Sequence, residues 1–428
     1  MKPDPGRDTS RRAVSSVAAI AFAFATLTAF AQVKENPIPR LVKKDGRYAL
    51  FVDGAPYFIL GAQVNNSSGW PAMLPGVWPA MEFLHANTVE IPVYWEQVEP
   101  KQGQFDYSVV DTLLTQARAH RLRLVLLWFG TWKNGNPHYM PEWMKLDSER
   151  YPRVVDENGR PLDSPSPFAT ASLDADTKAF TAFMRHLKTA DPQRTVLMVQ
   201  VENEPGTGSN LRDHSPAAQK LFEGPVPAGV LKAMNVESSA PSPNWRDVFG
   251  ADADVCFHNW AVAKYIGQVA AAGKAAYPLP LYVNAAPGTH RCAVLGGAVK
   301  PESYQNGAPS GNVIPIWKAA APALDMVSPD NYAPEAAGYL KTPDLYHRDD
   351  NPLYIPETGG SPRFFFFALG HEAIGFSPFG LDFTRIKTFR VSRTCTSDPL
   401  FSTAMFPSGR RIRWAASRLH RCARYRSA

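Results

Sequence analysis

The sequence predicts an α/β protein: a (β/α)8 TIM barrel with an elaborated loop after its fourth strand and an atypical C-terminal tail. Three observations carry that expectation. Strand-like and helix-like segments alternate along a chain of 428 residues, a length that suits one large barrel. Eight strand-like segments can be counted from Tyr57 onward, with helices or long loops between them. The first of them runs into Gly61-Ala62-Gln63-Val64-Asn65, without the Gly-rich turn that an open doubly wound sheet normally offers.

The elements follow in chain order. Ala49–Val52 and then Asp53-Gly54 read as a strand and a hairpin turn, and Tyr57–Leu60 as the first barrel strand. Pro71–His85 is helix-like with an internal proline, and Thr88–Tyr94 is a buried second strand. Val109, Val110, Leu113, Leu114 and Ala117 recur at helical spacing. Arg123–Phe129 is nearly continuous in apolar residues, as a parallel strand covered on both faces should be. Phe180, Phe183, Met184 and Leu187 form a helical stripe before the fourth strand, Val196–Val201. Gly206–Asp254, with Pro and Ser clusters, is the elaborated loop. Cys256–Ala276 is a helix, Pro280–Asn284 the fifth strand, and Leu324–Ser328, Leu353–Ile355 and Ala373–Phe376 the last three, with a helix over Phe364–Leu369.

Composition excludes several classes. With 45% hydrophobic, 11% aromatic and 20% charged residues the chain is no disordered polymer, 29 Gly exclude a collagen-like one, and four Cys exclude a disulfide scaffold. The net charge of +6 is uneven. Residues 1–31 read as an export signal: Arg11 and Arg12, an uncharged apolar run from Ala13 to Phe30, and Ala29-Phe30-Ala31 as a small-x-small cleavage site. The competing reading, a single membrane anchor, fits less well with a short, Ala/Thr-rich run. Residues 385–428 hold ten Arg and Lys387 against Asp398, and read as a disordered tail or one foreign to the fold. Residues 32–384, the expected catalytic domain, are acidic at −6, so the basic balance gives no support for a nucleic-acid partner. The expected location is periplasmic or secreted, with no stable membrane span.

In a barrel the chemistry sits where strands end. The fourth strand ends in Glu202-Asn203-Glu204-Pro205-Gly206 and the seventh in Glu357-Thr358-Gly359-Gly360. Strands four and seven face each other across a barrel mouth. Two such carboxyl groups are what glycosidic bond cleavage requires, one protonated to release the leaving oxygen and one ionised to attack the anomeric carbon. Glu204 and Glu357 are the expected catalytic pair, and burial together with the charge of Glu357 should raise the pKa of the acid. Glu202 shares the strand parity of Glu204 and is read as a decoy.

These residues resemble the retaining (β/α)8 glycoside hydrolases whose acid/base follows an Asn after strand four and whose nucleophile ends strand seven. The stretch Tyr94-Trp95-Glu96-Gln97-Val98-Glu99-Pro100-Lys101-Gln102-Gly103-Gln104-Phe105-Asp106 is similar to the β-galactosidases of families 35 and 42, and Asp53-Gly54-x-Pro56-Tyr57-Phe58-Ile59-Leu60-Gly61 to the start of family 35. The resemblance spans roughly residues 47–384. It implies a retaining β-galactosidase with Glu204 as acid/base, Glu357 as nucleophile, Asn203 on the sugar 2-hydroxyl and Tyr332 touching the nucleophile. Leu127-Trp128-Phe129-Gly130-Thr131-Trp132-Lys133-Asn134-Gly135 departs from family 35 and looks closer to family 42. Members also continue into a C-terminal β-rich domain, whereas the similarity here stops near Thr384.

Trp70, Trp95, Trp128, Trp132 and Trp143 gather near strand ends, where a ring can stack on the apolar face of a sugar; Trp95 and Trp132 are the first choices. Gln63, Asn65 and Asn134 are candidate hydroxyl-binding side chains. No cofactor or metal is expected: no phosphate loop or Ser-His-Asp elbow occurs, and His290 and Cys292 lack partners at ligand spacing. Cys256 and Cys292 could pair or stay buried thiols, and Cys395 and Cys422 sit in the tail. The expected partner is a galactoside oligosaccharide or a galactosyl side chain of plant cell-wall polysaccharide. The competing functions are another β-glycosidase of the same clan, a glucanase or mannanase, and an inactive sugar-binding barrel disabled by the altered C-terminus.

Overall fold

The computed structural model describes residues 36–208, 210–237, 241–285 and 306–382. Eight parallel strands close into a barrel: β1 (Ile59–Gln63), β2 (Thr88–Tyr94), β3 (Arg123–Lys133), β4 (Val196–Asn203), β5 (Leu281–Ala285), β6 (Met326–Asn331), β7 (Ile355–Thr358) and β8 (Gly375–Pro378). Each pairs with its neighbours in chain order, and β8 closes on β1 through Gly375 opposite Ile59 and Phe376 opposite Leu60. All eight overlap the segments the sequence assigns to them, with the first, sixth, seventh and eighth beginning two residues later.

The crossovers are α1 (Leu74–Leu84), α2 (Ser108–Ala119), α3 (Thr170–Ala190), α4 (Ala253–Ala276), α5 (Ile314–Ala320), α6 (Ala336–Tyr346) and α7 (Pro362–Gly370). The elaborated segment between β4 and α4 carries three short helices, Pro216–Phe222, Ala228–Ala233 and Trp245–Phe249. The sequence reading contained neither α5 nor α6, both short and proline-bearing. Among the described residues no helix is long and apolar enough to cross a membrane.

Two apolar layers hold the barrel. The interior is filled by Ile59, Tyr94, Val125, Leu127, Phe129, Leu197, Tyr282, Met326 and Tyr354, and a larger layer packs between strands and helices. Both faces of β3 are therefore covered, which is why it reads as a nearly unbroken apolar run.

A three-stranded antiparallel sheet precedes the barrel: Arg40–Lys44, Arg47–Val52 and Ala55–Tyr57. Its turns, Asp45-Gly46 and Asp53-Gly54, are left-handed at both residues, as two-residue hairpins require. Leu50 and Val52 join the interior cluster, so this sheet plugs one end of the barrel. The expected strand Tyr57–Leu60 is thereby corrected. Tyr57 pairs with Leu50 in the plug, while pairing with β8 begins at Ile59, so one apolar run serves two sheets.

The other correction concerns strand ends. β3, β4, β6 and β7 run past their apolar stretches into polar residues, because Lys133 pairs with Asn203, Asp330 with Glu357 and Asn331 with Thr358. Cys256 is buried in α4. The expected export signal, His290, Cys292, Cys395, Cys422 and the tail from residue 385 lie outside the described residues.

Candidate active site

The C-terminal ends of β4 and β7 bring Glu204 and Glu357 together at one mouth, each only 8% exposed. The backbone of β4 is bent to do this. Glu202 (φ 66°) and Glu204 (φ 40°) are both left-handed, which costs non-glycine residues of the order of 1–3 kcal/mol each. The turn at Glu202 breaks the strand alternation. Glu202 therefore does not share the orientation of Glu204, contrary to the parity expected from sequence, and both Asn203 and Glu204 reach the mouth.

Glu202 is sealed behind the strands instead. It accepts hydrogen bonds from the backbone N–H groups of Thr131 (3.1 Å) and Trp132 (2.7 Å). It also contacts the carboxyl of Asp176 on α3, which accepts from Thr131 Oγ1 (2.8 Å) and Trp128 Nε1 (3.2 Å). Burial first, then the neighbouring Asp176, pushes Glu202 well above the usual carboxylate range. Gly130 is needed here: a Cβ would lie 2.6 Å from Glu202 Oε1 and 2.5 Å from Trp128 Nε1.

The tip of β3 clasps Glu204. Asn134 N–H donates to the carbonyl of Asn203 and Gly135 N–H to that of Glu204, both at 3.0 Å. The Asn134 side chain donates to Glu204 Oε2, and the Glu204 N–H donates to Asn284 Oδ1 (2.9 Å) on β5. Burial and then the charge of Glu357 raise the Glu204 pKa, opposed by Lys133 and by hydrogen bonds from Asp330 and Asn134.

Glu357 stands in a different environment. Tyr332 O–H donates to its Oε1 (2.7 Å) and Gln63 Nε2 to its Oε2 (2.9 Å), one donor for each carboxyl oxygen. Burial and Glu357 raise the Tyr332 pKa, which keeps that hydroxyl a donor. The Asn203 amide lies between Lys133 Nζ (3.0 Å) on one side and Gln200 Nε2 (3.1 Å) and Asn284 Nδ2 (3.2 Å) on the other.

Of the residues expected at the site, the structure gathers Glu204, Glu357, Asn203, Tyr332, Gln63 and Asn134. Asn65 is engaged elsewhere: its Nδ2 donates to Asp382 Oδ1 (2.5 Å) and its N–H to Oδ2 (3.2 Å), fastening the β1 loop to the chain after β8. The two favoured tryptophans need correction. Trp95 is wholly enclosed, with Nε1 on Glu99 (2.9 Å) and its ring against Trp128 and Trp143. Trp132 is 1% exposed and meets Tyr265 of α4 edge-on. Neither has a free face. Trp70, in the loop after β1, is 43% exposed and lies over Tyr94 at 5.7 Å, so it keeps a face a sugar could cover.

Four polar residues escaped the sequence reading. Asn284 and Asp330 sit at strand ends, so the rule that found the two glutamates could have found them. Lys133 lies beyond the apolar part of β3. Glu90 is buried in β2, accepting from Tyr354 O–H (2.5 Å) and Tyr282 O–H (3.2 Å), and burial raises it to about 8. A lone acid inside an apolar strand was its signal.

Residues 77–275 match the family model of the glycoside hydrolase 42 β-galactosidases. A β-galactosidase of Xanthomonas manihotis is 31% identical over 171 residues, 38% of this chain and 26% of that protein. Among solved structures, a β-galactosidase from Bacillus circulans sp. alkalophilus is similar with a TM-score of 0.52 at 14% identity, covering 75% of this chain and 50% of that one. The catalytic domain of a β-amylase from Paenibacillus polymyxa has a TM-score of 0.55 at 12% identity, covering 79% of this chain and 98% of that one. At such identities the structural likeness concerns the barrel alone. The chain spans about a quarter of the curated relative and half of the solved β-galactosidase.

Proposed function

We propose that this chain is a retaining glycoside hydrolase that removes terminal β-D-galactosyl residues by double displacement. The observation that carries the reading is the pair of strand-end glutamates in unlike environments, Glu204 with its pKa raised and Glu357 held by two donors. In the first step Glu357 attacks the anomeric carbon while Glu204 gives its proton to the leaving oxygen. In the second, Glu204 takes a proton from water as that water displaces Glu357. Asn203 meets the sugar 2-hydroxyl in this reading, as the resemblance implies. Gln63 and Tyr332 hold the nucleophile, and Asn134 orients the acid. The galactosyl specificity rests on the family model and the Xanthomonas relative. The substrate class is a galactoside oligosaccharide or a polysaccharide side chain, and the export signal read in residues 1–31 places the reaction in the periplasm or outside the cell.

The test is hydrolysis of aryl β-galactoside, β-glucoside and β-mannoside by the full chain and by Glu357→Gln. The reading expects turnover of the galactoside first and its loss in the variant, with an unchanged circular dichroism spectrum. Turnover surviving in Glu357→Gln, or preference for another sugar, would overturn it.

A further inference from the structure

Asp330, on β6, is 1% exposed and has no part in the two displacement steps. Its register partner on β7 is Glu357. Its Oδ2 accepts from Asn284 Nδ2 (2.7 Å), and the Oδ1 of the same Asn284 accepts the Glu204 N–H (2.9 Å). Asn284 is thus a fork that fixes Asp330 against Glu204. The remaining oxygen, Asp330 Oδ1, is buried and receives no hydrogen bond from a protein donor, while the carboxyl itself stands within hydrogen-bonding reach of that of Glu204. Two carboxylates do not make such a contact without a proton between them. The undonated Oδ1 is the oxygen to carry it. The charged and titratable groups facing Asp330 are Glu204, Glu357, Lys133, Tyr282, Tyr332 and Tyr346, two acids and one cation among them, which further disfavours an ionised Asp330.

We propose that Asp330 is a positioning residue for the acid/base: protonated, it donates a hydrogen bond to Glu204, steering the Glu204 proton toward the leaving oxygen and steadying the carboxylate that remains. This rests on the glycosidase reading above. When the Glu204 proton passes to the glycosidic oxygen, the bond from that oxygen to the anomeric carbon breaks and the bond to Glu357 forms. Asp330 keeps its own proton throughout and its O–H points at the new Glu204 carboxylate. The water of the second step returns a proton to Glu204.

Two measurements on the full chain test this. In infrared spectra at neutral pH, Asp330→Asn should lose a carboxylic-acid C=O band that Glu204→Gln shifts; a spectrum unchanged in Asp330→Asn would overturn the proposal. In kinetics, Asp330→Ala should lose about 10–100-fold in kcat/KM on aryl β-galactosides with poor leaving groups, the scale of one hydrogen bond to a charged group, and little on the most activated one, which needs no acid. Asp330→Asn, which keeps an N–H donor, should stay near wild type. Equal losses on both substrates, or an Asn variant as poor as Ala, would overturn it. A wild-type chain without galactosidase activity would refute the parent reading alone, and the infrared result would still decide the role of Asp330.

Discussion

Tyr332 and Gln63 place one donor on each oxygen of Glu357, whereas Glu204 lies among a second acid, an amide and a buried lysine. The same side chain is thereby set in two environments, as the two proposed roles require: two donors hold Glu357, and burial favours the proton at Glu204. Tyr332 is 45% exposed, so removing its hydroxyl should not disturb the core. Tyr332→Phe is expected to lower kcat/KM on an aryl β-galactoside by about 10–100-fold, the scale of a charge-assisted hydrogen bond, with the melting temperature unchanged. Steady-state kinetics beside a thermal melt checks both halves. Glu204 and Glu357 could be read from the sequence because an acid that ends an apolar strand has few structural reasons to be there. Trp95 and Trp132 could not, because nearness to a strand end does not say which side of the barrel a ring faces.

The strands set the geometry of the mouth, and here the sequence was legible only as far as its apolar runs. β3 and β4 continue through Lys133 and Asn203 because polar side chains there satisfy one another, a pairing with no local signature. The left-handed turn at Glu202 is equally silent: nothing in Val201-Glu202-Asn203 announces that the alternation fails. Glu90 links β2 to Tyr282 of β5 and Tyr354 of β7 across the interior. Its pKa is raised from 4.5 to about 8 by burial, so the folded state holds a proton that the unfolded chain has already released. The stability this group contributes is complete below about 4.5 and is lost as pH rises toward 8. Relative to wild type, Glu90→Gln should therefore melt progressively higher between pH 5 and about 8, and the difference should level off above that. Denaturant midpoints across that range give the check; a constant difference would mean that Glu90 is ionised in the fold. Behind the mouth, Gly130→Ala should cost about 1–3 kcal/mol, since its methyl would meet both Glu202 and Trp128. An unchanged denaturant midpoint would mean that this seam has room to spare.

At the scale of the whole chain the opposed charges separate by segment. Residues 32–384 are acidic at −6 although the sum is +6. The acids gathered at the mouth belong to this acidic stretch. Fold and proposed catalytic pair both came from one pattern, apolar strands ending in polar residues, because a parallel barrel puts every strand's C-terminal end at the same rim. The first strand of the plug sheet, α5 and α6 did not, being short and locally ambiguous. The proposed double displacement by Glu204 and Glu357 is checked by following hydrolysis of an aryl β-galactoside by the full chain with proton NMR and reading the anomer released before mutarotation. The account predicts β-galactose first; α-galactose first, as a single inversion would give, would contradict it.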